Sequence, residues 1–92
     1  MIFIEAMNLP IQTFCICSTF GEFTPLRFRF EDSEHTVQTI NIEKVLYVKE
    51  INYVGREAYV YTCKAVIDDM ARLFEIKYTV GSHKWTFYRM LD

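Results

Sequence analysis

Apolar and polar residues alternate along most of the chain from residue 25 onward. This period of two is typical of half-buried strands, and it gives five runs. The runs cover residues 25–31, 35–53, 57–67, 70–80 and 84–91. In the first run Leu26, Phe28 and Phe30 fall on one face, and Arg27 and Arg29 fall on the other. We therefore predict five consecutive strands, the first of which buries its Leu and Phe side chains.

Turn signals separate these runs. They are EDSE at residues 31–34, VGRE at 54–57, the pair Asp68 and Asp69, and GSH at 81–83. The second run changes parity near Glu43 and Lys44, which predicts a bulge or a sharp bend there. A helix over residues 68–78 is the weaker alternative, because FEIKYTV continues that segment as a clean strand alternation.

The predicted fold is a single all-β domain over residues 1–92. Five strands joined by short turns form an antiparallel meander, and large apolar groups on both faces favour curling into a small SH3-like barrel. An OB-type barrel is the alternative, but it needs a longer connection between the third and fourth strands. Residues 25–91 form the predicted barrel, and residues 1–24 form an N-terminal arm or an extra strand that pairs with it.

Composition supports a folded chain. The 92 residues are 51% hydrophobic and only 24% charged, which differs from the composition of disordered proteins. The formal net charge of −2 provides no overall positive field for phosphate groups. Any contact with nucleic acid would therefore need a local basic stripe.

The N-terminal sequence MIFIEAMNLP lacks the pattern of a signal peptide, and no apolar stretch is long enough to span a membrane. We expect a cytoplasmic protein without a membrane partner. Met7 is a candidate alternative start, in which case residues 1–6 are dispensable. The odd number of cysteines, Cys15, Cys17 and Cys63, fits reduced thiols rather than structural disulfides.

Candidate catalytic and metal chemistry is weak in this sequence. Cys15 and Cys17 with Cys63, His35 or His83 could ligate zinc, but the usual spacing of paired cysteines is missing. We interpret the cysteines as small apolar residues and expect no metal and no cofactor. No nucleophile lies at a recognisable spacing from a base, and no glycine-rich phosphate loop is present. We therefore predict a non-enzymatic protein with no small-molecule substrate.

The aromatic content points to a partner surface. Eight Phe, six Tyr and one Trp exceed what the interior of a small barrel accommodates, so some must be exposed. The segment IQTFCICSTF, residues 11–20, has the character of a strand that adds to an open sheet edge. We predict an interaction module that forms a homodimer or binds a protein partner.

A nucleic-acid accessory is the alternative function. Small barrels bind single strands with aromatic platforms and a cationic groove, and Arg27, Arg29, Lys77 and Trp85 are the candidate residues. The competing interpretation is that Arg27 and Arg29 pair across the sheet with Glu75 or its neighbours.

The segments PLRFRFED, YTCKAVI, RLFEIKY and KWTFYRM together resemble a family of small uncharacterised Firmicutes proteins. Their shared pattern is P-[LI]-[KR]-F-R-[FY]-E-[DE], followed by F/Y-x-C, then [FY]-E-[LI]-K-Y, and a Trp-containing strand. The resemblance covers residues 25–90. The matching positions are Pro25, Arg27, Phe28, Arg29, Glu31, Cys63, Glu75, Lys77, Tyr78 and Trp85. It implies no particular activity, although a link of such proteins to DNA repair would favour the nucleic-acid alternative.

Overall fold

The computed structural model describes residues 8–91, which form one antiparallel sheet of seven strands in the order β3-β2-β1-β7-β6-β5-β4. The strands are β1 (Leu9–Cys17), β2 (Phe23–Glu31), β3 (Val37–Asn41), β4 (Lys44–Tyr53), β5 (Arg56–Ile67), β6 (Met70–Thr79) and β7 (Lys84–Met90). None of the described segments is an apolar helix of membrane-spanning length. Met7 and residues 1–6, the candidate dispensable segment, lie outside the described residues.

The sheet curls because β3 and β4 follow each other in the chain but occupy its opposite edges. At residues 42–43 the chain stops pairing with β2 and begins to pair with β5. There the Ile42 amide donates to the Leu26 carbonyl at 2.9 Å, and the Glu43 amide donates to the Lys64 carbonyl at 2.8 Å. These two bonds bring β2 and β5 close together at one point, and the curled sheet forms a half-barrel. The bend that the sequence predicts near Glu43 and Lys44 lies at this crossing.

The predicted all-β antiparallel class is confirmed, but among residues 8–91 the sheet has seven strands: the five predicted runs form six strands, and the predicted N-terminal arm or extra strand supplies β1. The second run is divided into β3 and β4, because the chain changes sheet edge at residues 42–43. Residues 9–17 form β1, which pairs with β2 on one side and β7 on the other. Residues 9–17 therefore form an internal strand of the sheet. The alternative helix over residues 68–78 is wrong, since that segment contains the β5–β6 turn and most of β6.

The core lies on the inner, concave face. Phe28, Phe74 and Phe87 are fully buried, and their ring centroids are 5.6 to 6.0 Å apart. Phe30 is also buried, as the alternation predicts, whereas Leu26 is 45% exposed and Pro25 is buried in its place. The prediction for Leu26 is wrong because of a β-bulge.

The bulge interrupts the pairing of β1 with β2. Phe14 pairs with Arg27 and Cys15 pairs with Pro25, so Leu26 has no partner on β1. An extra residue in one strand reverses the alternation of its side chains. Leu26 consequently turns outward, like Arg27 beside it.

Candidate functional site

The inner face contains a cavity of about 630 Å³ where the half-barrel is open. The crossing at residues 42–43 closes one end of the sheet, and the cavity lies at the other end, between the beginning of β2 and the free-edge strand β4. Its lining residues come from the β1–β2 connection, β2, β4, β5, β6 and the β6–β7 turn. They are Gly21, Glu22, Phe23, Thr24, Val48, Glu50, Glu57, Tyr59, Tyr61, Tyr78 and Val80.

Aromatic side chains form one wall of this cavity. The Tyr61 and Tyr78 rings lie 5.3 and 5.0 Å from the Trp85 ring, measured between centroids. The Phe23 ring lies 5.6 Å from Tyr78 in an edge-to-face arrangement. Burial, followed by the nearby Cys15 thiol, raises the pKa of Tyr61 to about 12. These contacts connect β2, β5, β6 and β7 through one continuous aromatic surface.

Carboxylates surround the aromatic wall. Glu22, Glu50 and Glu57 line the cavity, and none of its lining residues is basic. The Tyr59 hydroxyl donates a hydrogen bond to Glu57 Oε1 at 3.4 Å. The negative charge of Glu57, and then that of Glu50, raises the pKa of Tyr59. The potential in this part of the cavity is therefore negative.

The connection between β1 and β2 places Glu22 at the cavity. The Ser18 hydroxyl accepts hydrogen bonds from the Phe20 and Glu22 amides, and the Ser18 amide donates to the Glu22 carbonyl. Gly21 has a φ of +83°, a conformation that glycine adopts without steric cost. This short loop fixes where β2 begins and brings a carboxylate to the cavity rim.

Arg27 and Arg29, two of the predicted site residues, lie on the outer, convex face. Their guanidinium carbons lie 4.5 and 5.3 Å from the centroid of the Phe14 ring. Arg29 also donates to Gln12 Oε1 through both Nε, at 2.8 Å, and a terminal nitrogen. Within residues 8–91 neither arginine forms an ion pair with a carboxylate. Neither arginine therefore forms the ion pair with Glu75 that is the competing interpretation of the sequence.

Lys77 and Trp85, the other two predicted site residues, lie apart from this arginine pair. Lys77 is on the outer face, with Nζ 4.9 Å from the Tyr88 ring centroid. Glu75, which is almost buried, binds Arg89 Nε at 2.5 Å, and this pairing raises the pKa of Arg89. Trp85 is on the inner face beside the cavity. The structure therefore does not bring the four residues into one site.

The candidate zinc ligands are also dispersed. Cys63 is fully buried in the core, Cys15 is half-buried and Cys17 is exposed. His35 Nδ1 lies 2.6 Å from Glu31 Oε1 on the surface, and His83 Nδ1 lies 3.0 Å from the Tyr78 hydroxyl. Among the described residues, no three His, Cys, Asp or Glu side chains are grouped as metal ligands.

Three consecutive exposed apolar side chains lie on β4, a ten-residue strand that within residues 8–91 pairs only with β5. Leu46, Tyr47 and Val48 are 41%, 61% and 50% exposed. A register shift between Val45 and Tyr47 leaves Leu46 in a bulge. The other edge strand, β3, has five residues and exposes Val37. The longer and more apolar free edge is therefore that of β4.

Sequence reasoning missed the cavity, although the sequence contains two signals for it. The inward positions of β5 change from Cys63, Ala65 and Ile67 to Tyr59 and Tyr61 along the same strand. Glu50 and Glu57 lie on either side of one hairpin turn, a spacing that places both acids near those tyrosines. Neither signal identifies a cavity until the inner face is known.

Comparison of the chain with known proteins finds no matching protein family, no similar curated protein and no similar solved structure.

Proposed function

We propose that this protein is a non-enzymatic interaction module that forms a homodimer through the free edge of β4. The observation that supports this proposal most directly is the ten-residue edge strand, on which Leu46, Tyr47 and Val48 are exposed together. An unpaired strand edge presents a row of backbone donors and acceptors, and natural proteins usually shorten or charge such edges. A second copy supplies an identical strand, and two-fold pairs of this kind are the commonest oligomers.

The proposal includes the barrel type of this module and its location in the cell. The bent β3–β4 segment and the short turns support a small SH3-like barrel that is enlarged by additional strands. Its three free cysteines support a role in the reducing cytoplasm.

Light scattering after size-exclusion chromatography tests the homodimer. At high micromolar concentration we expect a mass of twice the 11.0 kDa of one chain. The double variant Leu46→Lys with Tyr47→Lys should elute as a monomer, since two added charges on the edge oppose its pairing. The control is Val66→Lys on β5, at a valine that is 59% exposed, and it should remain dimeric. A monomeric wild-type protein at that concentration contradicts the proposal.

A second function, binding of single-stranded nucleic acid, is favoured by the arginine pair on the outer face. Arg27 and Arg29 are exposed, lie against Phe14 and have no carboxylate partner within residues 8–91. Cations beside an aromatic ring can contact a phosphate backbone and a base together. In this alternative the protein is an accessory factor, for example in DNA repair.

Binding of a labelled oligonucleotide tests this alternative. At about 50 mM salt, we expect salt-sensitive binding that Arg27→Ala with Arg29→Ala abolishes. The matched control is Arg56→Ala with Lys84→Ala, which also removes two exposed cations. Absence of binding at low salt, or equal loss in both double variants, counts against a specific role for the arginine pair.

A further inference from the structure

The cavity at the open end of the half-barrel combines the two chemical features with which proteins bind organic cations. These features are several aromatic side chains in contact and carboxylates beside them. We propose that this cavity binds an alkylated ammonium group, the group carried by a methylated lysine side chain or by a small choline-like molecule. This function goes beyond self-association: Leu46 and Tyr47, which the dimer variant changes, are not among the cavity-lining residues, although Val48 belongs to both surfaces.

The aromatic wall supplies the attraction for a positive charge. Tyr59, Tyr61 and Tyr78 line the cavity, and Trp85 supports two of them at centroid distances of 5.3 and 5.0 Å. The face of an aromatic ring carries partial negative charge and attracts a cation within about 6 Å of its centroid. Tyr59 and Tyr78 are only partly buried, so their rings are open to a ligand, whereas Tyr61 is 3% exposed and supports the wall from behind.

The carboxylates determine the sign of the charge that a ligand must carry. Glu22, Glu50 and Glu57 face a cavity with no basic lining residue. The negative charges of Glu57 and then Glu50 raise the pKa of Tyr59, in line with the acidic lining of the cavity. An anionic ligand would meet repulsion from three carboxylates, whereas a cation would be attracted by all of them.

The same geometry argues against a metal ion. A divalent cation needs several ligands around one point, and no such group of His, Cys, Asp or Glu exists among residues 8–91. An unmodified lysine ammonium is compact and strongly hydrated, so aromatic rings replace its water poorly. Alkyl groups make an ammonium ion larger and less hydrated, and they add apolar surface that can pack against Tyr and Trp rings.

The volume agrees with a ligand of this size. A cavity of about 630 Å³ is within the range of roughly 300 to 1,000 Å³ that is usual for small-ligand sites. It lies next to the free edge of β4, which contributes Val48 and Glu50 to the lining. A side chain from a bound peptide can therefore enter as readily as a free small molecule.

Fluorescence of Trp85, the only tryptophan in the chain, offers a direct measurement. Choline is compared with 3,3-dimethylbutanol, its neutral analogue, in which carbon replaces the nitrogen. We expect saturable binding of choline and a dissociation constant at least about tenfold higher for the neutral analogue, because the charge provides the attraction. Equal binding of the two probes, or no saturable change with choline, overturns the proposal.

Three variants locate the site. Glu57→Gln keeps the shape of the side chain but removes its charge, and Tyr59→Ala removes one ring from the wall. Each is expected to weaken choline binding several-fold. The control is Glu34→Gln, which removes a carboxylate in the exposed β2–β3 turn and should bind choline like the wild type. Circular dichroism establishes that each variant is folded, and undiminished binding by both cavity variants contradicts this location.

Peptides distinguish the two sources of the ligand. A peptide with one trimethyllysine is compared with the same peptide carrying unmodified lysine. Tighter binding of the trimethylated peptide than of choline identifies a protein ligand, and tighter binding of choline identifies a small molecule. Equal binding of both peptides overturns the preference for alkylated ammonium. The Leu46→Lys with Tyr47→Lys variant should still bind choline, so failure of the homodimer and failure of this site are separable.

Discussion

The inner face of the half-barrel has a closed end and an open end, and several strands contribute to both. At the closed end β2, β6 and β7 contribute Phe28, Phe74 and Phe87, which are fully buried and in mutual contact. At the open end the same strands contribute Phe23, Tyr78 and Trp85, of which Phe23 and Tyr78 line the cavity, and β4 and β5 supply further lining residues. The two ends therefore differ in chemistry while sharing one backbone framework.

The difference in chemistry assigns stability to the closed end and recognition of a ligand to the open end. The closed end excludes water with hydrocarbon rings, and their burial stabilises the fold. The open end retains tyrosine hydroxyls and glutamates on a face that would be more stable if it were apolar and filled. A surface that is less favourable for stability than its neighbour is a candidate for binding. The predictions below test this division between the two ends.

The largest expected effect is at the closed end. Phe74→Ala removes a fully buried ring that lies 5.6 Å from both Phe28 and Phe87. We expect the free energy of unfolding to fall by about 3 to 5 kcal/mol, because the substitution loses burial and leaves a cavity. Urea denaturation followed by circular dichroism measures this change.

The matched substitution at the open end is Tyr59→Ala. Tyr59 also lies on the inner face of the sheet, but its side chain is only partly buried. Its removal should reduce stability much less than Phe74→Ala does, while weakening choline binding. Similar losses of stability in the two variants would show that both ends belong to one core and would refute the division.

The second prediction concerns alkaline pH at the closed end. Burial raises the pKa of the Cys63 thiol from its ordinary value of 9.0 to about 12. The folded protein therefore retains this proton when the unfolded chain has lost it. The stability that this thiol contributes is fully present below pH 9 and is lost as the pH rises toward 12. The free energy of unfolding then falls by about 1.4 kcal/mol per pH unit for one proton.

Cys63→Ala removes this titration, and its stability should fall less steeply over the same pH window. The slope is compared and not the stability itself, because the substitution also changes packing. Tyr61, whose pKa is also raised to about 12, contributes in the same direction in both proteins. Cys17→Ala, at an exposed position, is the control and should retain the wild-type slope. Identical slopes for Cys63→Ala and the wild type contradict this origin of the alkaline loss.

Alternation and turn residues predicted much of the sheet from the sequence. The strands around Phe28, Cys63 and Phe74 and the bend near Glu43 follow directly from local patterns. The pairing partners do not follow, because the placement of β1 between β2 and β7 depends on contacts between distant segments. The bulge at Leu26 shows the same limit, since one unpaired residue reverses which side chains are buried.

The candidate site was harder to predict for a related reason. Arg27 and Arg29 were identified by residue type, and their outward direction follows from the buried phenylalanines beside them. The residue types also group Trp85 with them, although it occupies the opposite face. The cavity depends on the register that places Glu50 beside Tyr59 and on the free edge of β4. The register follows from one hairpin turn, but the curvature of the sheet and the free edge have no local sequence pattern.

The smallest predicted effect is at the β4–β5 turn, beside the open end. Val54 and Gly55 have φ values of +51° and +75°, and the β5–β6 turn uses the same left-handed backbone at Asp68 and Asp69. Aspartate tolerates this conformation, but a β-branched valine is strained in it. Val54→Asn should therefore raise the free energy of unfolding by about 1 kcal/mol, as measured by urea denaturation. Val37→Asn, at an exposed valine without positive φ, should give no such gain; an equal gain there would show that polarity and not turn strain is the cause.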